Sequence, residues 1–186
     1  MPITPAQVQR ITEAHALGLL DRAVAEHASV SLSTVKRVRK QLGLQTHCQT
    51  TLRGRLGERI VAEQARERGL KVEWRRYDND KYDLIVQGRR VDAKAAMQMK
   101  DGTWKFRLPE IRRSFHGQYS YHKDYAADCD VVVLVCLYPD ERVPKLYLFG
   151  SVGLPGTVRI YPDVTHEAAK EKWTLLASPM PLRLAA

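Results

Sequence analysis

The sequence predicts a small all-α domain followed by an α/β domain, and three observations support this fold class. Residues 5–43 contain only short helical patterns. A longer helical pattern at 53–69 is followed by short runs in which apolar and polar residues alternate, a pattern that indicates strands. The apolar run VVVLVCLY, from Val131 to Tyr138, is typical of a buried strand and is too short to span a membrane. We therefore predict domains at 1–44 and 53–186, joined by a polar linker at 45–52.

The charge balance favours a polyanionic partner. The 186 residues include 30 Lys and Arg against 21 Asp and Glu, which gives a net charge of +9 and a pI near 9.6. Nucleic acid is the first candidate partner and an anionic membrane surface the second. Simple solubility is the alternative explanation of the charge.

The cysteines and the N-terminus indicate a reducing cytoplasm. Cys48, Cys129 and Cys136 are odd in number and show no CxxC spacing, and the histidines form no HExxH or HxH pair. This pattern argues against zinc ligation and against a disulfide framework. The first ten residues lack the apolar core of a signal peptide, so we expect a cytoplasmic protein with no membrane partner.

Three short helices are predicted near the N-terminus. Thr4 is expected to cap the first, which opens with Pro5, and residues 19–28 form the second. After a brief turn around Val30, the third helix spans 33–42 and ends at Gly43. This succession of a helix, a turn and a basic helix resembles a helix-turn-helix, whose second helix enters the major groove of DNA.

The third helix carries residues that are expected to contact DNA. Val35, Val38 and Leu42 recur at helical spacing and should face the core of the domain. The polar positions divide by their place on the helix: Ser33, Thr34, Lys36 and Arg37 are predicted to lie nearest the bases, and Arg39 and Lys40 to meet phosphate. The alternative is a small helical bundle in which the basic helix is only a solvated face.

The helix predicted at 53–69 carries one acidic residue of interest. Its apolar stripe consists of Leu56, Ile60, Val61 and Ala65, and Gly69 ends it. Glu58 lies near the predicted start, where the helix dipole favours a carboxylate. Because Glu58 precedes the acidic hairpin described next, a functional role is the second interpretation.

The segment 81–96, KYDLIVQGRRVDAKAA, predicts two strands around a tight turn at Gln87-Gly88. A two-residue turn pairs Val86 with Arg89, and continuing that register places Asp83 directly opposite Asp92. Like charges at such positions destabilise a sheet, and a divalent cation between the carboxylates would remove the repulsion. The hairpin therefore predicts the core of a metal-dependent site.

Strand alternation divides the second strand of this hairpin into two faces. Asp92 and Lys94 share one face. The apolar face carries Val91, Ala93 and Ala95. The alternative interpretation of Asp92 and Lys94 is an ion pair on a solvent-exposed face, with Asp83 merely ending a turn.

Further strands and a basic, aromatic stretch occupy the rest of the chain. Strands are predicted at 70–76, 103–108 and 145–150, and a short helix at 166–173. Basic and aromatic residues interleave between Pro109 and Tyr125, a composition that suits backbone contacts and base stacking. The residues predicted to contact DNA are Arg112, Arg113, Tyr119, His122 and Lys123, and the same stretch contains His116, Gln118, Tyr121 and Tyr125. Surface-helix residues mixed with core aromatics are the alternative.

The order of Glu58, Asp83 and the run Asp92-Ala93-Lys94 resembles the PD-(D/E)xK nuclease superfamily, which has the restriction-endonuclease-like fold. The resemblance covers about residues 53–150 and is closest to the branch of Holliday-junction resolvases and intron-encoded endonucleases. Tyr82 stands where the superfamily motif has proline. The resemblance implies a mixed sheet flanked by helices.

The same resemblance implies hydrolysis of phosphodiester bonds in duplex or branched DNA. Asp83, Asp92 and the Ala93 carbonyl would hold Mg²⁺, for which Mn²⁺ can substitute, and Glu58 would hold it directly or through water. The metal would activate a bound water and stabilise the leaving oxygen. Lys94 would orient or help deprotonate that water, and the products would be a 5′-phosphate and a 3′-hydroxyl.

The two predicted domains fit one task, in which the first positions the protein on DNA and the second cuts it. Cutting both strands usually needs two active centres, so we expect a homodimer or a larger assembly. One open alternative is a DNA-binding regulator on a nuclease-like core without catalysis, and another is an RNA-directed nuclease. The intact acidic set and lysine favour a nuclease, and the helix-turn-helix favours DNA because the major groove of A-form RNA is too narrow for a helix.

Overall fold

The computed structural model describes residues 2–77, 80–113, 119–140, 142–162 and 164–177. The chain forms two compact units, Met1–Arg53 and Gly54–Ala186. The helices are α1 (Pro5–Ala16), α2 (Asp21–His27), α3 (Leu32–Gln41), α4 (Gln49–Glu67), α5 (Tyr125–Asp128) and α6 (Thr174–Ala177), with a 3₁₀ helix at Glu167–Ala169. The strands are β1 (Val72–Trp74), β2 (Leu84–Val86), β3 (Arg89–Met97), β4 (Trp104–Arg107), β5 (Ile111–Arg113), β6 (Ser120–His122), β7 (Val131–Leu137), β8 (Lys145–Gly150) and β9 (Thr157–Ile160). Within the described part of the chain, no helix is long and apolar enough to cross a bilayer.

Local capping sets the ends of the N-terminal helices. The Thr4 hydroxyl accepts from the Gln7 N–H at 3.2 Å, and the Gln7 side chain accepts from the Thr4 N–H at 3.1 Å, which forms a capping box. Ser31 caps α3 by accepting from the Thr34 N–H at 3.2 Å. Gly43 follows α3 in the left-handed region, with φ +66°. The predicted cap at Thr4 and the stop at Gly43 are confirmed.

A small apolar core joins α1, α2 and α3. Its buried members are Ile11, Ala14, Val24, Ala25, Ala28, Val35 and Val38. Leu42 was also expected to face this core, but that prediction is wrong because its side chain is 49% exposed. Leu42 is the C-cap residue beyond the last helical turn, where the spacing that aligns Val35 and Val38 no longer applies.

The helix α4 begins at Gln49 and therefore includes part of the segment predicted to be a linker. Residues 49–53 contain neither glycine nor proline, so nothing in them stops a helix from starting early. Glu58 consequently lies in the middle of α4, not near its start, and the helix dipole does not account for it. Leu56 of the predicted stripe is 37% exposed, whereas Val61, Ala62 and Ala65 are fully buried.

The main sheet has five strands in the order β1-β2-β3-β7-β8. The strands β3 and β7 are parallel, and the other neighbours are antiparallel. The segment between β3 and β7 contains β4, β5, β6 and α5, which gives parallel strands the long connection they need. The predicted α/β class with a mixed sheet is confirmed.

The buried strand β7 lies between two apolar layers. Every residue from Val131 to Leu137 is buried. Val131, Val133 and Val135 pack with α4, whereas Val132, Leu134 and Cys136 pack with Trp104 and Tyr125. The predicted strands at 103–108 and 145–150 are present as β4 and β8, while β9, which pairs with β4, was not predicted. The predicted helix at 166–173 is replaced by the 3₁₀ turn at Glu167–Ala169, and α6 begins only after that range.

The hairpin of β2 and β3 closes through the predicted two-residue turn. Gln87 and Gly88 both have positive φ, at 49° and 78°, as a type I′ turn requires. Val86 pairs with Arg89, as expected. The in-register pairing of β3 with β7 places Asp92 beside Val132 and Lys94 beside Leu134. The face of β3 that carries Asp92 and Lys94 is therefore the one turned away from α4.

Gly57 allows α4 to approach β3 closely. A Cβ atom added at Gly57 would lie 2.6 Å from the Cβ of Ala95, whereas one added at Gly54 of the same helix would meet nothing within 4 Å. We expect Gly57→Ala to lower the free energy of unfolding by about 1–3 kcal/mol through overpacking, despite the better helix propensity of alanine. Gly54→Ala should raise it by up to about 1 kcal/mol.

Urea unfolding followed by circular dichroism measures both effects. Ala95→Gly, introduced together with Gly57→Ala, should recover part of the loss because it removes the atom that clashes. If Gly57→Ala stabilises the protein as Gly54→Ala does, α4 does not pack against β3 as closely as described.

Candidate active site

Asp83 is held at the start of β2 by a backbone irregularity. Leu84 is the register partner of Val91, and the Asp83 N–H also donates to the Val91 carbonyl at 2.9 Å. Asp83 and Leu84 on one strand therefore both oppose Val91 on the other, which is the arrangement of a β-bulge. A bulge changes the direction of the side chains it carries. The prediction that Asp83 stands directly opposite Asp92 is corrected, because the regular pairing ends at Leu84.

Both oxygens of the Asp83 carboxylate accept hydrogen bonds. Arg75 Nη1 donates to Oδ1 at 2.9 Å, and the backbone N–H of Ala93 donates to Oδ2 at 2.9 Å. The Asp83 side chain thus lies against the peptide between Asp92 and Ala93. Arg75 was not identified from the sequence, since only the pairing of β1 with β2 brings it to Asp83.

Asp92 is a buried carboxylate held by two lysines. It is 1% exposed, its Oδ1 pairs with the Lys94 ammonium, and its Oδ2 pairs with the Lys123 ammonium. The Lys94 side chain is 23% exposed and that of Lys123 is 3% exposed. A buried charge is tolerated when such partners compensate its lost hydration. The repulsion between carboxylates that the sequence suggested is thus offset by basic side chains.

Lys123 belongs to this cluster and not to a DNA-contacting surface. Its ammonium also donates to the Lys81 carbonyl at 3.3 Å and lies 4.6 Å from the centre of the Tyr125 ring, a favourable cation–π distance. The Lys94 ammonium lies 6.0 Å from the same ring. The predicted DNA contact by Lys123 is therefore wrong. No local pattern identified its role, because Lys123 reaches Asp92 only through the connection from β3 to β7.

Glu58 is a half-buried electrostatic neighbour of Asp83. Burial raises the pKa of the Glu58 carboxyl, and the negative charge of Asp83 raises it further. The positive charges of Arg75, Arg55 and Lys94 act in the opposite direction. The fold thus brings Glu58 close to the hairpin, and the charged form of this carboxylate is disfavoured there.

Glu58→Gln is expected to stabilise the metal-free protein at neutral pH. Because the pKa of Glu58 is raised in the folded state, the stability linked to this group is complete below the unfolded pKa and is lost as the pH rises through the folded pKa. Glutamine avoids that loss. Urea unfolding in EDTA should show a gain at neutral pH that disappears below about pH 4.3, the pKa of an unfolded glutamate.

Glu63→Gln is the matched control, since Glu63 is exposed on the same helix. It should change stability little at either pH. A Glu58→Gln protein that is less stable than the wild type at neutral pH would contradict the electrostatic account of Glu58.

The acidic residues match the donor chemistry of Mg²⁺ but do not form a complete cage. Among the residues that the structure describes, no three Asp, Glu, His or Cys side chains lie close enough to hold one metal ion. Mg²⁺ usually binds through one or two carboxylates together with waters and substrate phosphate, so three protein ligands are not required. Asp83 and Asp92 supply hard oxygen donors, and a metal at either would replace or adjoin its cationic partners.

The N-terminal unit exposes most of the predicted base-contacting residues. Ser33, Lys36, Arg37 and Lys40 are exposed on α3, and Thr34 is half-buried. Arg39, expected to meet phosphate, is instead buried: its Nη2 donates to Asp21 Oδ2 at 2.6 Å and its Nη1 to the Leu44 carbonyl at 3.0 Å. That prediction is wrong because Arg39 points into the junction of α2 with α3. DNA binding by this unit stays a prediction.

The aromatic and basic stretch forms a two-stranded ribbon of β5 and β6. Tyr121 and His122 are exposed on β6, with Tyr121 at 59%, and Tyr119, which directly precedes β6, is 65% exposed. Arg112 and Arg113 lie on β5, but their side chains are outside the described part, as are His116 and Gln118 altogether. The ribbon leads directly into Lys123 and hence into the Asp92 cluster.

Comparison with known proteins relates this chain to a nuclease by fold. No family model matches it, and no curated protein sequence matches it. Among solved structures, a bacterial homing endonuclease, I-Ssp6803I, is similar with a TM-score of 0.54 and 18% sequence identity. The match covers 68% of this chain and 92% of that chain. The likeness establishes an endonuclease-like α/β fold.

Proposed function

We propose that this protein is a Mg²⁺-dependent DNA endonuclease of the PD-(D/E)xK type, with its catalytic centre on β2 and β3. One observation carries the proposal: Asp92 and Lys94 are in contact on one face of β3, and Asp83 binds the amide of the residue between them. The similarity of the fold to a homing endonuclease supports it independently of those residues.

Each residue of the centre has a role that its surroundings support. Asp83, Asp92 and the Ala93 carbonyl would hold Mg²⁺, with Glu58 contributing directly or through water. When bound, Mg²⁺ lowers the pKa of a coordinated water and stabilises the charge that develops on the phosphate. Lys94 has a partly exposed side chain next to Asp92, from which it can orient the attacking water and donate to a phosphate oxygen.

DNA would be held by exposed basic and aromatic side chains of both units. On α3, the exposed set is Ser33, Lys36, Arg37 and Lys40, and the proposed helix-turn-helix would place it in the major groove. At the ribbon, Tyr119 just before β6 and His122 on β6 would contact the DNA backbone or stack on bases. The net charge of +9 supports binding to a polyanion, and a homodimer would cut both strands.

Incubation with supercoiled plasmid and with branched DNA tests the proposal. We expect cleavage in Mg²⁺ or Mn²⁺ and none in EDTA.

The second candidate function is a DNA-binding regulator on a nuclease-like core. It is favoured by the basic side chains that already compensate the charges of Asp83 and Asp92. DNA binding without cleavage in either metal would support that candidate and overturn the endonuclease.

A further inference from the structure

Lys123 is a buried ammonium group that the proposed reaction leaves unassigned. We infer that the Lys123 ammonium neutralises the Asp92 carboxylate in the metal-free protein and competes with the divalent metal for it. This inference rests on the proposed function. It follows from the pairing of Lys123 with Asp92 Oδ2 and from the near-complete burial of both side chains.

The backbone holds Lys123 in place from both sides. Its N–H donates to the Glu110 carbonyl at 2.7 Å, at the base of the ribbon. The next residue, Asp124, caps α5 by accepting from the backbone N–H groups of Ala126 and Ala127 at 3.0 and 3.2 Å. The fold therefore delivers the ammonium of Lys123 to Asp92 from a fixed point, unlike a mobile surface lysine.

The two lysines on Asp92 differ in what they can reach. Lys94 is partly exposed and lies on the same strand as Asp92, so it can turn toward a substrate phosphate. Lys123 is enclosed between the Tyr125 ring and the Lys81 carbonyl, which leaves it against Asp92. These different surroundings assign substrate contact to Lys94 and compensation of the Asp92 charge to Lys123.

A positive charge beside a metal-binding carboxylate lowers its affinity for a divalent cation. Charges interact strongly where burial excludes water, so the Lys123 ammonium opposes a metal at Asp92. The phosphate of bound DNA adds negative charge and offsets this repulsion. We therefore expect the free protein to bind metal weakly, and the presence of DNA to strengthen metal binding.

Mn²⁺ binding to the DNA-free protein measures this competition. Electron paramagnetic resonance of free Mn²⁺ would compare the wild type with Lys123→Gln, which keeps a donor for Asp92, and Lys123→Met, which does not. We expect both variants to bind Mn²⁺ at least about tenfold more tightly, equivalent to about 1.4 kcal/mol. Lys105→Met is the matched control, because Lys105 is exposed on β4, and its Mn²⁺ affinity should equal that of the wild type.

The outcomes separate this inference from the proposed function. If the wild type cuts DNA with Mn²⁺ but the Lys123 variants bind the metal no more tightly, the inference is overturned and the endonuclease stands. If the wild type neither binds Mn²⁺ nor cuts DNA, both are overturned.

A second measurement on the wild type covers the case in which the variants do not fold. The ammonium ¹H–¹⁵N signal of Lys123 should shift when excess Mg²⁺ saturates the DNA-free protein, because the metal takes the place of this ammonium on Asp92. A signal that does not change would overturn the inference.

Discussion

Replacing Asp92 by asparagine is expected to reduce Mg²⁺-dependent cleavage at least about a thousandfold, equivalent to about 4 kcal/mol of activation free energy. Asparagine keeps the shape of the side chain but removes the charge that would hold the metal and that now compensates Lys94 and Lys123. DNA binding should persist, because the exposed basic residues of α3 lie elsewhere in the chain. Plasmid nicking and gel-shift assays measure the two properties separately.

Lys94→Ala should produce the same separation of binding from cleavage. Its ammonium is the partly exposed cation next to Asp92, and general acid–base or electrostatic assistance of this kind is typically worth a hundredfold or more. Asp140→Asn is the control for Asp92→Asn and should leave cleavage unchanged, since Asp140 is an exposed aspartate in a turn. Variants of Asp92 and Lys94 that cut as fast as the wild type would show that the catalytic centre has been misassigned.

Arg39→Met is expected to destabilise the N-terminal unit by about 3–5 kcal/mol, the usual cost of breaking a buried ion pair by removing one partner. The side chains of Arg39 and Asp21 are only 10% and 16% exposed, so methionine would leave the Asp21 carboxylate poorly compensated. Lys40→Met changes the neighbouring exposed lysine and should cost less than about 0.5 kcal/mol. Far-UV circular dichroism during urea unfolding measures both.

A double-mutant cycle distinguishes this structural role from a phosphate contact. Asp21→Asn combined with Arg39→Met should destabilise the protein less than the sum of the single changes, because the two side chains are direct partners. If Arg39→Met leaves stability unchanged but reduces the salt dependence of DNA binding, the original interpretation of Arg39 as a phosphate contact would be right.

Features determined by neighbours in sequence were predictable. The turn at Gln87-Gly88, the alternation that puts Asp92 and Lys94 on one face, and the buried strand β7 depend on backbone geometry repeated over a few residues. The Thr4 cap belongs to the same class, since its hydrogen bonds join residues only three positions apart. For such features, local propensity and the fold agree.

Features determined by distant partners were not predictable. Lys123 is 31 residues from Asp92, and Arg39 is 18 residues from Asp21. Both lysine and arginine are exposed in most proteins, so composition alone assigns such residues to a surface. Only the packed fold reverses that assignment, by bringing a carboxylate to each of them.

The sequence by itself determined the strand pair that carries the acidic residues and the face on which Asp92 and Lys94 lie, because side-chain direction along a strand follows from its twofold alternation. Tertiary structure alone decided the bulge at Asp83, the partnership with Arg75 and the burial of Lys123. These depend on how separate strands align and on where the connection between β3 and β7 passes, and no local pattern encodes either.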